Sequence, residues 1–70
     1  MEVMVFATSV QSHEQVKTLA PKINSLAGKG RWNFALDDCD KILRIVSDRV
    51  KPQQAVALLE KYGFTCNELD

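Results

Sequence analysis

Hydrophobic and polar positions alternate along this chain in a way that divides it into six segments. Met1 to Ala7 is apolar except for Glu2, short, and rich in residues that suit a pleated surface, which predicts a strand. Thr8-Ser9-Val10-Gln11 reads as a loop. Ser12 and Gln15 have the spacing of a capping box, in which the hydroxyl takes an orphan N–H and the amide reaches back. Val16, Leu19, Ala20, Ile23 and Leu26 then recur at three and four, the stripe of a helix buried on one side. Pro21 lies within that stripe and predicts a kink or an early break, because it lacks a backbone donor and crowds the preceding turn. Ala27-Gly28-Lys29-Gly30 closes the helix, glycine taking positive φ without steric cost.

Trp32, Phe34 and Leu36 alternate with Arg31, Asn33 and Ala35, the period of a half-buried strand. Asp37-Asp38-Cys39-Asp40 is a turn, and Lys41 to Ser47 is the returning strand of a hairpin. Pro52 suits the first turn of a second helix, with Ala55, Val56, Leu59 and Tyr62 as its buried stripe and Gly63 as its stop. Phe64 to Leu69 is long enough for a last strand. The order strand, helix, strand, strand, helix, strand predicts an α+β fold. Two βαβ halves must share one sheet, which gives a ferredoxin-like βαββαβ sandwich: four antiparallel strands in the order 4-1-3-2 with both helices on one face.

Length and charge narrow the picture. Seventy residues make one domain, spanning 1–70, with no room for a second core. Nine Lys+Arg balance nine Asp+Glu. Proteins that bind nucleic acid or anionic membranes electrostatically need a basic excess, so neither partner is expected. No apolar run approaches the ~18 residues of a membrane span, and no signal peptide is recognisable, which points to a cytoplasmic protein without membrane insertion. Cys39 and Cys66, 27 positions apart, form neither a disulfide framework nor a close-spaced metal motif, and reducing conditions oppose a bond between them.

At the first loop, Ala7-Thr8-Ser9-Val10-Gln11-Ser12 resembles the metal loop of the heavy-metal-associated domains found in copper chaperones and metal-transporting P-type ATPases. That family carries Met-Thr-Cys-x-x-Cys there, between its first strand and first helix. The resemblance extends along nearly the whole chain: through Val16 and Leu19, Trp32 to Leu36, and Glu60-Lys61-Tyr62-Gly63-Phe64, which is similar to the family's helix end, glycine and aromatic. It implies the scaffold and, in the family, Cu(I) carried by two thiolates. Here Ser9 and Ser12 stand at the cysteine positions and Ala7 at the methionine. A serine hydroxyl is hard and stays protonated near neutral pH, so the family's metal transfer does not follow. No cofactor is expected.

The remaining chemistry is sparse. His13, the sole imidazole, reads as an exposed residue of the first helical turn, with a remnant ligand as the sharper alternative. The resemblance implies that Cys66 lies near the first loop, where it and His13 are the weak metal candidates. Asp37, Asp38 and Asp40 read as a solvated turn, since a calcium loop needs further oxygens, a glycine and a distant Glu. The Thr8–Ser12 loop offers N–H groups at a helix N-terminus, so a small anionic ligand is a second alternative. Neither a Ser/His/Asp order, paired catalytic carboxylates nor a cofactor fingerprint is present, so the chain is not expected to be an enzyme.

One surface invites a functional reading. With Val3, Val5 and Ala7 turned toward the helices, Met4 and Phe6 face the open side of the sheet together with Ile42 and Val46, a patch for a partner protein or a second copy of the chain. The reversed register exposes Val3 and Val5 instead. RNA-reading domains of this architecture stack bases on aromatics of the same two strands, and only Phe6 is available. The glycine pattern of ACT-type ligand loops is missing. The expected function is a non-catalytic interaction module with a degenerate metal loop. Its alternatives are a metal-related protein with non-standard ligation and a small-ligand sensor.

Overall fold

The computed structural model describes residues 2–69. Its elements are β1 (Glu2–Thr8), α1 (His13–Ala27), β2 (Trp32–Ala35), β3 (Ile42–Ser47), α2 (Pro52–Lys61) and β4 (Cys66–Leu69). Met1, included in the expected first strand, lies outside the described residues. The strands form one sheet in the order β2-β3-β1-β4, with every neighbouring pair antiparallel. That is the expected 4-1-3-2 order. Among the described residues, no helix is long and apolar enough to cross a membrane.

The core is a single cluster on one side of the sheet. Met4 and Phe6 of β1, Leu43 and Ile45 of β3, Leu19 and Ile23 of α1, and Ala55 and Leu59 of α2 are all buried in it. Register explains the grouping, because directly paired residues share a face. Phe6 pairs with Leu43 and Leu43 with Phe34, while Met4 pairs with Ile45 and Ile45 with Trp32. Trp32 and Phe34 meet edge to face, their ring centroids 5.9 Å apart at 83°. The Trp32 indole also donates to Asn24 Oδ1 at 2.7 Å, tying β2 to α1.

This register corrects the expected contact patch. Met4 is 5% exposed and Phe6 0%, whereas Val3 is 58% exposed. The even positions of β1 face the helices. Leu43 and Ile45 do face the core as expected, and antiparallel pairing then carries their β1 partners inward with them. The choice also buries the larger side chains: a Phe and a Met remove more apolar area from water than two Val and an Ala. Ile42 and Val46 remain on the open side, half-buried.

Four local expectations also change. α1 runs unbroken through Pro21, which is exposed. The one missing backbone bond is outweighed by Leu19 and Ile23, buried on either side of it. Gln15 accepts from the N–H of Gln11 at 2.7 Å, one residue before the Ser12 cap, while Ser12 Oγ accepts from Gln15 N at 3.2 Å. Tyr62 lies beyond the last helical residue and is exposed. β4 starts at Cys66, because Gly63 and Phe64 donate their N–H groups back to the end of α2, on Glu60 and Leu59 carbonyls. Gly63 makes this reversal with φ 88°.

The register predicts unequal costs along β1. Phe6→Ala should lose about 3–5 kcal/mol, enough to unfold most of so small a domain, whereas Val3→Ala should stay within about 0.5 kcal/mol. Urea denaturation midpoints check this, and a larger loss at Val3 than at Phe6 would reverse the assignment.

Candidate functional site

Two regions hold the residues singled out from the sequence: the loop after β1 and the open side of the sheet. The loop is fastened at both flanks. Thr8 donates from its backbone to Asp40 O at 3.0 Å and from its hydroxyl to Lys41 O at 2.6 Å, and Thr8 Oγ1 accepts from Val10 N at 3.3 Å. These bonds join the loop to the β2–β3 turn. On the other flank Ser9 N donates to Thr65 O at 3.2 Å, and Thr65 N donates back to Ser9 Oγ at 2.8 Å. Val10 points inward and is fully buried.

Ser9 and Ser12 therefore both have structural tasks. Ser9 Oγ accepts from the residue before β4, and Ser12 Oγ caps α1. Neither offers a soft ligand. Cys66 is close to the loop through its pairing with Thr8. It is buried, and desolvation first, with the Glu60 carboxylate second, pushes its thiol up from 9.0 to about 11. Such a group stays a protonated thiol near neutral pH, the opposite of a ligand-ready thiolate. His13 is exposed on the first turn of α1. The donor set around this loop does not fit the two-thiolate Cu(I) site that the family resemblance implies.

At the far side of the same end, Asp38, Cys39 and Asp40 present ligand atoms within 4.8 Å of one another, all three residues exposed. Their arrangement follows from the turn itself, since Asp40 N donates to Asp38 Oδ1 at 2.8 Å and Lys41 takes φ 50°. Neither His13 nor Cys66 belongs to this group. Cys39 and Cys66 are both free thiols.

The open side of the sheet has the alternative membership. Val3 pairs with Val46, Ala7 with Ile42, Ile42 with Ala35, and Val5 with Leu69. Arg44 stands in the middle of this apolar row, paired with Val5 on one side and Asn33 on the other. It is exposed and has no ion-pair partner among the described residues. Leu69 was not part of the expected patch. Its outward position depends on the register of β4 with β1, which an isolated four-residue strand does not reveal.

No family model, curated protein or solved structure matches this chain.

Cys66 generates a pH prediction. Its thiol ionises at a higher pH when folded than when unfolded, so its contribution to stability is complete below about 9.0 and is lost as pH rises toward about 11. Urea midpoints should fall across that window in the wild type and fall less in Cys66→Ala. In native protein at pH 8 a thiol reagent should modify Cys39 promptly and Cys66 only as the fold opens, and equal rates would contradict its burial. Ser9→Ala should cost no more than about 1 kcal/mol, because the exposed Thr65 N–H exchanges the Ser9 hydroxyl for water, measured by the same denaturation.

Proposed function

We propose that this chain is a ferredoxin-like domain of heavy-metal-associated type that acts as a non-catalytic contact module, with the open face of its sheet as the contact surface. The observation that carries the reading is the row of outward apolar side chains around Arg44. Monomers rarely leave a contiguous apolar patch uncovered without a use for it. The stitched loop supports the same reading. Ser9 and Ser12 spend their oxygens on Thr65 and on the cap of α1, so the place where the family handles metal serves here to hold β1, β3 and β4 in position.

Arg44 selects the kind of partner. It is the one charged side chain in the row, and no carboxylate accompanies it among the paired open-face positions Val3, Val5, Ala7, Ile42, Val46 and Leu69. Two copies meeting face to face about a two-fold axis would bring one guanidinium toward the other. A different protein that presents an acidic side chain within an apolar surface satisfies both the apolar row and the charge. The proposed occupant is such a partner.

Two measurements test this. Sedimentation velocity should find the wild type monomeric at all accessible concentrations and Arg44→Leu, which completes the apolar row, self-associating. A photoreactive residue at Val5 or Val46, introduced in cells that make the chain, should give one discrete protein adduct that Arg44→Glu abolishes. The same probe at Gln53, exposed on α2, should not give it. A wild-type dimer joined through this face would replace the partner with a second copy. Equal adducts from Val5 and Gln53 would overturn the reading.

A further inference from the structure

At the end of the molecule opposite the loop, a cleft of about 460 Å³ opens between the end of α1 with its following turn and the Ser47–Arg49 segment, where β3 ends. Lys29, Arg31 and Arg49 line it together with one carboxylate, Asp48, which leaves an excess of two positive charges. Arg31 and Asp48 each already have an interaction within the protein. Lys29 and Arg49 are exposed and carry the unmatched charge.

Two neutral side chains of the cleft keep free donors, whereas a third, Ser25, donates its hydroxyl to Pro21 O at 3.0 Å and keeps only acceptor capacity. An indole N–H can only donate, so the atom of Asn24 that faces Trp32 must be the carbonyl oxygen, and the amide NH2 is left over. Ser47 Oγ accepts from Arg49 N at 3.0 Å and from Val50 N at 3.2 Å, which uses both lone pairs and leaves the hydroxyl proton to donate. Asn24 and Ser47 thus each present a free donor beside two cations, Asn24 Oδ1 keeping one lone pair. Free donors beside cations suit a ligand that accepts hydrogen bonds and carries multiple negative charge.

We propose that this cleft binds a phosphate group, free or as a soluble phosphomonoester, with Lys29 and Arg49 supplying charge and Asn24 and Ser47 supplying directed donors. The site is separate from the open sheet face, and the proposal does not rest on the partner reading. The competing explanation is that the cations serve the carbonyl end of α1, which borders the cleft and itself attracts positive charge.

The test is an NMR titration of the wild type with inorganic phosphate and, separately, with glycerol phosphate, against sodium chloride at matched ionic strength. The expected result is saturable shifts at the Asn24 side-chain amide, at Lys29–Arg31 and at Ser47–Arg49, with chloride producing none. Equal affinity for the two ligands identifies free phosphate as sufficient, and tighter binding of the ester identifies a phosphomonoester. The double variant Lys29→Gln/Arg49→Gln, folded by its spectrum, should lose saturation by at least tenfold in affinity. Shifts that chloride reproduces, or a double variant whose melting temperature falls equally in phosphate and chloride with no saturable shifts in the wild type, would overturn the proposal.

Discussion

The row Phe34–Leu43–Phe6, running across β2, β3 and β1, is the packing on which the other features of the domain depend. Phe6 sits on a central strand with a neighbour on each side, and its ring is fully excluded from water. Burying a side chain of that size contributes about 2–3 kcal/mol, a large share of the stability available to a small domain. Strand geometry then leaves no freedom: with Phe6 inward, Met4 is inward, and Val3, Val5 and Ala7 are outward. The same row supplies the floor for Leu19 and Ile23 above it. The open apolar face is thus the unavoidable reverse side of the core.

The loop after β1 is the second constraint. In a sheet where β1 neighbours both β3 and β4, the chain leaving β1 must pass between the entrances to those two strands. Thr8 bonds to the entrance of β3 through Asp40 and Lys41, and Ser9 bonds to the entrance of β4 through Thr65. Val10 then seals the end of the core. A small hydroxyl is well suited to this work, because it reaches backbone groups at close range and is indifferent to redox conditions. The residues that weigh against soft-metal chemistry are therefore the residues that close the fold.

Much of the architecture is legible in the chain. The stripes of α1 and α2, the alternation of Trp32 and Phe34, and the glycines at 28 and 63 lead to the element order and hence to the order of strands. The face of β1 is harder to read. Val3, Met4, Val5, Phe6 and Ala7 are all apolar, so alternation has nothing to alternate, and only side-chain size separates the two registers. Arg44 was the usable signal: a charged residue between Leu43 and Ile45 marks the outer face of β3, and antiparallel pairing hands that marking to Val5. The structural roles of Ser9 and Thr8 are not legible, because their partners are backbone groups 56 and 33 positions away. The free donors of Asn24 and Ser47 in the far cleft are hidden for the same reason, since they depend on which oxygens the fold has already used.

The claim that β1 turns its even positions inward underlies the core, the exposed apolar row and the place of Arg44. A soluble paramagnetic agent added to methyl- and aromatic-labelled protein tests it most directly. The account predicts strong relaxation enhancement at the methyls of Val3, clear enhancement at Val5 and Val46, and none at Phe6, Leu43 or Ile45. Strong enhancement at Phe6 and Met4 with protection of Val3 and Val5 would contradict it.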